Sequence, residues 1–193
     1  QWLIHSNVAP TATADGFTWQ AANGQQVQVT TLLPAEHTVT TYSDKAVLGP
    51  SNNFLPQELK GYQTRISPVS TSSWQTFLNV VQSGAKGTVF SDTLVKATDD
   101  SAEGTLVHRA GQSDTLVLFG ALQAGRVLEQ GYTVHYTAST SNTQVDLTDL
   151  DPSKSWTISI NGGPAQQLTV SSQGVASFTV QGAGDNTFRL ASA

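Results

Sequence analysis

The feature that most constrains this chain is a succession of short runs in which apolar and polar residues alternate. Val27-Gln28-Val29-Thr30-Thr31-Leu32-Leu33 stops at Pro34, and Thr38-Val39-Thr40-Thr41-Tyr42, Thr64-Arg65-Ile66-Ser67, Gly104-Thr105-Leu106-Val107-His108 and Thr115-Leu116-Val117-Leu118-Phe119 follow. A period of two puts alternate side chains on opposite faces of an extended backbone. β-Branched and aromatic residues fill these runs, as a pleated, half-buried surface prefers. Asn23-Gly24, Gly49-Pro50, Ala110-Gly111 and Gly162-Gly163 punctuate them as turn signals. No window carries the capped i, i+3, i+4, i+7 apolar stripe of a helix. The chain is therefore expected to be all-β, an antiparallel β-sandwich.

Two segments refine that expectation. Thr76-Phe77-Leu78-Asn79-Val80-Val81 is apolar almost throughout and predicts a strand buried on both faces. Ser51–Gly61, with Pro56 inside it, reads as a long loop. The composition shifts near Tyr136, where Thr137–Thr143 is small and polar, a linker or a hairpin tip. Beyond it Gln144–Leu147, Ser155–Ile160, Gln167–Val170, Gly174–Val180 and Asn186–Leu190 read as a meander, with Asp151-Pro152-Ser153-Lys154 as a turn. The expected organisation is a β-sandwich over 1–136, the late part of a larger one, and a small C-terminal antiparallel β-sheet domain over 137–193. So short a tail is marginal alone and is expected to dock on the first sheet system.

Composition narrows the functional classes. Only 12% of residues are charged, about half the usual share, and the net charge is −5. Binding a phosphate backbone needs clustered Lys and Arg, so no nucleic-acid partner is expected. No apolar run reaches the length of a membrane span. Without cysteine there is no disulfide, thiolate zinc site or thiol nucleophile. Methionine is absent even from position 1, and Gln1-Trp2-Leu3-Ile4-His5 reads like the middle of a strand. The expectation is a processed or excised chain, with functional residues upstream.

Few side chains fall into chemical patterns. His5, His37, His108 and His135 are scattered without metal-ligand spacing. His5 shares a strand face with Leu3; were Leu3 to face the core, His5 would sit at its edge and need a hydrogen-bond partner. There is no Gly-x-Ser-x-Gly elbow, and Gly84-Ala85-Lys86-Gly87-Thr88 is a turn with a lysine, not a phosphate loop. Asp99-Asp100 and Glu103 read as a solvated loop, with calcium binding or a glycosidase carboxylate pair as the alternative. Trp2, Trp74 and Trp156 sit in or beside apolar patterns that favour core packing. Trp19 alternates with Phe17 on a face expected to point inward. No catalytic, cofactor-binding or metal-binding residue is assigned. The candidates for carbohydrate contact or cleft lining are His5, Trp19 and Trp74.

Several of these pieces occur in a known order. Trp2-Leu3-Ile4-His5-Ser6, Pro10, Asp15-Gly16, Asn23-Gly24 and Thr31-Leu32-Leu33-Pro34 resemble one stretch of the heparinase II/III-like polysaccharide lyases. Tyr62–Pro68, then Phe77-Leu78-Asn79-Val80-Val81-Gln82, then Leu116–Gly120, are similar to elements that follow it in that family. Val145-Asp146-Leu147 through Gly182-Ala183-Gly184 resembles its small terminal sheet. The resemblance implies a secreted or periplasmic bacterial protein that cleaves uronic-acid-containing polysaccharide by β-elimination. It implies an N-terminal helical toroid, in the parent or on a separate chain, supplying a Tyr/His acid–base pair. It also implies that any zinc in the parent takes ligands upstream of this sequence. This chain would support the cleft without being catalytic alone, its partners an acidic polysaccharide and the toroid. Two other classes stay open: a free-standing carbohydrate-binding β-sandwich module, and a structural or assembly module of a surface protein.

Overall fold

The structure, a computed structural model, describes residues 1–43, 61–109, 111–122 and 126–193. Among them every regular element is a strand, as the alternating runs predict. The loop expected over Ser51–Gly61 lies, apart from Gly61, outside the described residues, as does the Gly49-Pro50 turn. The chain divides into two compact units, Gln1–Phe90 and Ser91–Ala193.

The first unit holds β1 (Trp2–Ser6), β2 (Thr11–Thr13), β3 (Gly16–Gln20), β4 (Gln25–Leu33), β5 (His37–Ser43), β6 (Tyr62–Pro68) and β7 (Leu78–Ala85). They form two antiparallel sheets, ordered β1-β6-β5 and β2-β3-β4-β7. Residues directly opposite across a ladder share a face. Trp2 and Val39 thus flank Ile66 in one sheet, and Phe17 faces the same way as Val29 in the other. Phe17, Val29 and Ile66 are fully buried, and Trp2, Ile4, Trp19, Val39 and Phe77 pack round them. The turn at Asn23-Gly24 closes β3 onto β4 with Gly24 at φ 82°, a left-handed conformation that glycine adopts without penalty.

β7 departs from expectation. Val80 and Gln82 are buried, but Val81 is 54% exposed. Val81 lies opposite Val29 and so faces the core side, yet β7 is the last strand of its sheet among the described residues. The apolar run marked a strand correctly; it did not mark burial on both faces.

The second unit holds β8 (Ser91–Lys96), β9 (Ala102–His108), β10 (Asp114–Gly120), β11 (Thr133–Ala138), β12 (Asn142–Leu147), β13 (Trp156–Ile160), β14 (Gln166–Leu168), β15 (Ala176–Gln181) and β16 (Gly184–Ser192). One sheet runs β15-β12-β10-β9-β8 and the other β11-β16-β13-β14. All pairs are antiparallel except β10 with β12. Leu106, Leu116, Leu118, Val145 and Leu147 from the first sheet join Val134, Trp156, Ile158, Phe188 and Leu190 from the second in one core, a sandwich in the ordinary sense. Phe188 on β16 meets Phe178 on β15 edge to face, with ring centroids 5.4 Å apart, which ties the two sheets directly. Gly104 is required where β9 crosses β10, since a Cβ there would lie 1.8 Å from the Val117 carbonyl oxygen. Asn161 and Gly162, at φ 49° and 72°, make the two-residue bend after β13 that a right-twisted hairpin prefers.

The expected boundary at 136/137 is corrected by this pairing. Tyr136 lies inside β11, opposite Asn186 of β16, and β12 lies beside β10. Residues 137–193 therefore form no sheet of their own; their strands complete the sandwich begun at Ser91, and the division falls after Phe90. The small polar stretch Thr137–Thr143 is the end of β11, a bend and the start of β12; because β11 pairs with β16 and β12 with β10 and β15, it joins the two sheets of the sandwich and is neither a linker between domains nor a hairpin tip. β8 carries no strong alternation; β11 does alternate, with Val134, Tyr136 and Ala138 buried, but is not among the runs that mark strands above.

Phe188→Ala should destabilise the second unit by about 3–5 kcal/mol, the usual cost of emptying a buried aromatic site. Val175→Ala, at a position 39% exposed, should cost no more than about 0.5 kcal/mol. Urea unfolding followed by circular dichroism checks both; equal losses would contradict the placement of the core.

Candidate binding face

In β6 the inward direction of Ile66 and Thr64 sends Gln63 and Arg65 to the opposite face. Their neighbours there are Leu3 and His5 from β1 and Thr40 and Tyr42 from β5. Leu3 is 46% exposed, so the face it shares with His5 points outward, and His5 is exposed rather than set at the edge of the core. The inward residues of β1 are Trp2 and Ile4.

The four polar side chains of this face form one array. The Arg65 guanidinium lies over the Tyr42 ring, 4.5 Å from its centroid, a cation–π arrangement. Arg65 Nε donates to Gln63 Oε1 at 2.8 Å. That bond orients the amide, leaving Gln63 Nε2 directed at His5 Nε2, 3.4 Å away. An amide NH2 only donates, so in this contact the imidazole nitrogen is the acceptor. Gln63, between His5 and Tyr42 in register, is only 8% exposed. No carboxylate of the described residues pairs with Arg65. The result is a fixed, outward-facing guanidinium backed by a phenol ring, with an imidazole one strand away: a geometry suited to holding a carboxylate.

The three residues singled out from sequence are not brought together. His5 belongs to the array. Trp19 stacks on Phe17 (5.9 Å, 18°) and packs against the core, as its alternation implied. Trp74 is 52% exposed in the segment between β6 and β7, so core packing is corrected there; its apolar surroundings in sequence belong to the start of β7. Trp2 and Trp156 are in their cores, Trp156 donating Nε1–H to the Asp151 carbonyl at 2.9 Å. The sequence offers Tyr42, Gln63 and Arg65 only as members of strand runs, not as site candidates. The signal was present in the alternation Gln63-Thr64-Arg65-Ile66.

A second group has the residue types of a hydrolytic triad without its geometry. Asp114 is fully buried at the start of β10. Its carboxylate accepts from Ser139 N at 2.6 Å, Ser139 Oγ at 2.8 Å, Thr140 N at 3.2 Å and His108 Nδ1 at 3.1 Å. Serine and histidine both bind the carboxylate, so His108 does not activate the serine as a triad requires. Asp114 instead anchors the β11–β12 bend to β10. Burial drives its carboxyl pKa up, but the bonds from Ser139, His108 and the Ser139 and Thr140 amides outweigh burial and hold it below the ordinary carboxylate range.

The remaining candidates are turn chemistry. Asp99 accepts from Ser101 N and Oγ, bonds that, led by the hydroxyl, lower its pKa. Lys96 lies 3.6 Å from the part-buried Glu103 and 4.0 Å from the exposed Asp100, the latter a pair of little energetic weight. His37 and His135 contact the Pro34 carbonyl and the Thr187 hydroxyl. Among the described residues no three His, Asp or Glu are grouped to hold a metal ion. A cleft of about 510 Å³ and one of about 450 Å³ share Asp99 and Gln130 at one end of the second unit. Together their charged residues set Arg126 and Arg189 against Asp99 and Glu129, two cations against two acids. No protein-family model and no curated protein matches the chain.

Asp114→Asn should weaken the second unit by about 2–4 kcal/mol at pH 7, since it strands buried donors. The folded carboxyl titrates below its unfolded value of about 3.9. Its contribution is therefore complete above that pH and is lost as pH falls through the folded value. Unfolding curves for the two proteins should converge on acidification below about pH 4; a gap that stays constant to low pH would contradict the anchor.

Proposed function

We propose that this chain is the C-terminal β portion of a secreted or periplasmic polysaccharide lyase of the heparinase II/III-like type, and that it holds uronic-acid-containing polymer without cleaving it alone. The array on the outer face of β1-β6-β5 carries this reading. β-Elimination begins with removal of a proton α to a carboxylate, which becomes acidic only when that carboxylate's charge is neutralised. Arg65, held by Gln63 and Tyr42 and with no acid partner among the described residues, has the chemistry to do this from one wall of a cleft. The acid–base pair would come from the helical toroid, and any zinc ligands from the parent. The order of sequence elements supports the same reading.

A free-standing carbohydrate-binding module is the second reading, favoured by the exposed Trp74 ring, since a sugar's apolar face packs on such a surface. The two separate on the residues that carry affinity.

Titration of the chain with defined uronic-acid oligosaccharides, followed by heteronuclear NMR and calorimetry, should shift Leu3, His5, Thr40, Tyr42 and Arg65. Arg65→Ala should lower affinity about tenfold or more, the worth of a charge-assisted hydrogen bond. Arg65→Lys should recover part of it, and Trp74→Ala should change little. Loss on Trp74→Ala alone favours the second reading. Unsaturated uronic ends produced by the isolated chain would refute the non-catalytic part, and absence of binding would refute the role of the array.

A further inference from the structure

We infer that β7 is a pairing edge for a second copy of this chain. β7 is 8 residues long, the longest of the strands that end a sheet among the described residues. Leu78-Asn79-Val80-Val81-Gln82-Ser83-Gly84-Ala85 contains no charge and no proline. Those are the devices that normally keep a sheet edge from pairing. β8, also at an edge, does carry them, in Asp92 and Lys96. The edges β2 and β14 are only 3 residues long. The next longest edge, β5 with 7 residues, exposes threonines, whereas β7 exposes Val81, 54% open to solvent on the core-facing side.

The strand is also complementary to itself. Antiparallel pairing about a twofold axis at Val81 sets Val81 directly against Val81 of the second copy. Asn79 then meets Ser83 of the second copy on the same face, and Val80 meets Gln82 of the second copy on the other. A β-branched pair lies at the centre, uncharged polar pairs flank it, and no like charges meet. Such a contact is isologous and closes as a dimer. The two sheets become one of eight strands, β2-β3-β4-β7 continued by the same order reversed. One pair of strands buries less than the roughly 1,600 Å² of a standard interface, so the dimer forms and dissociates with concentration. This inference stands apart from the carboxylate-binding reading, which concerns the opposite sheet.

Sedimentation velocity over a concentration series should show a monomer–dimer equilibrium. Val81→Lys should leave only monomer, and Val81→Thr, which keeps the β-branched shape without charge, should retain the dimer. Because the chain has no cysteine, a single introduced thiol reports its own surroundings. A short thiol cross-linker should couple Val81→Cys chains at least tenfold faster than Val69→Cys chains, Val69 being equally exposed but off the strand. Circular dichroism confirms that each variant is folded. A wild-type chain that stays monomeric at the highest concentration reached, a Val81→Lys chain that still dimerises, or equal cross-linking at the two positions overturns the inference.

Discussion

Burial of Ile66 governs the first unit. It is the one fully buried apolar residue of the three-stranded sheet, and it meets Phe17 and Val29 of the facing sheet in a small core. A strand has only two faces, so turning Ile66 inward turns Arg65 and Gln63 outward with no further choice. His5 and Tyr42 then arrive beside them because β1 and β5 pair with β6 in fixed register. A slip of one residue in either ladder would put Arg65 against the core and dismantle the array and the core together. The candidate site is thus held by the same registry that makes the sheet.

The two units solve their packing differently. In the second, residues from both sheets of the sandwich meet in one continuous core with Trp156 and Phe188 wholly enclosed. In the first, the fully buried apolar side chains among the described residues are three, and half-buried Trp2, Trp19 and Phe77 do much of the covering. A core of that size leaves apolar side chains uncovered, and Val69, Trp74 and Val81 stand exposed in the same unit. Surface of this kind is where partners add contacts most readily.

What the sequence made legible follows from what alternation encodes. Period-two runs at Val27–Leu33, Thr115–Phe119 and Ser155–Ile160 fall on β4, β10 and β13, and the turn signals Asn23-Gly24 and Gly162-Gly163 fall in bends between strands. Alternation says that one face is buried but not which strand lies beside it. The pairing of β11 with β16 and of β10 with β12 was therefore invisible, and the polar stretch after Tyr136 looked like a linker. The same limit applies to the array: the position of Arg65 on one face of its strand was readable, whereas its juxtaposition with Tyr42 and His5 depends on non-local register. His5 was placed conditionally on Leu3, and Leu3 turned out to face solvent because Trp2 and Ile4 are the larger apolar pair.

Asp114 and Arg65 show how one rule separates scaffold from site. A buried charge persists only when its hydrogen-bonding capacity is filled from within the fold, and Asp114 has four donors on its two oxygens. Nothing remains for a ligand to bind, so its neighbours Ser139 and His108, whatever their names suggest, serve the bend. Arg65 is the reverse case. Its Nε is committed to Gln63 and its face to Tyr42, which fixes its direction, while the rest of its fork meets no acid among the described residues. An immobilised cation of this kind has already lost the side-chain freedom that binding would otherwise remove, so an incoming carboxylate meets a donor set in place. The balance of filled and unfilled hydrogen-bonding capacity, more than residue type, is what supports the proposal that this chain binds carboxylate on the outer face of β1-β6-β5.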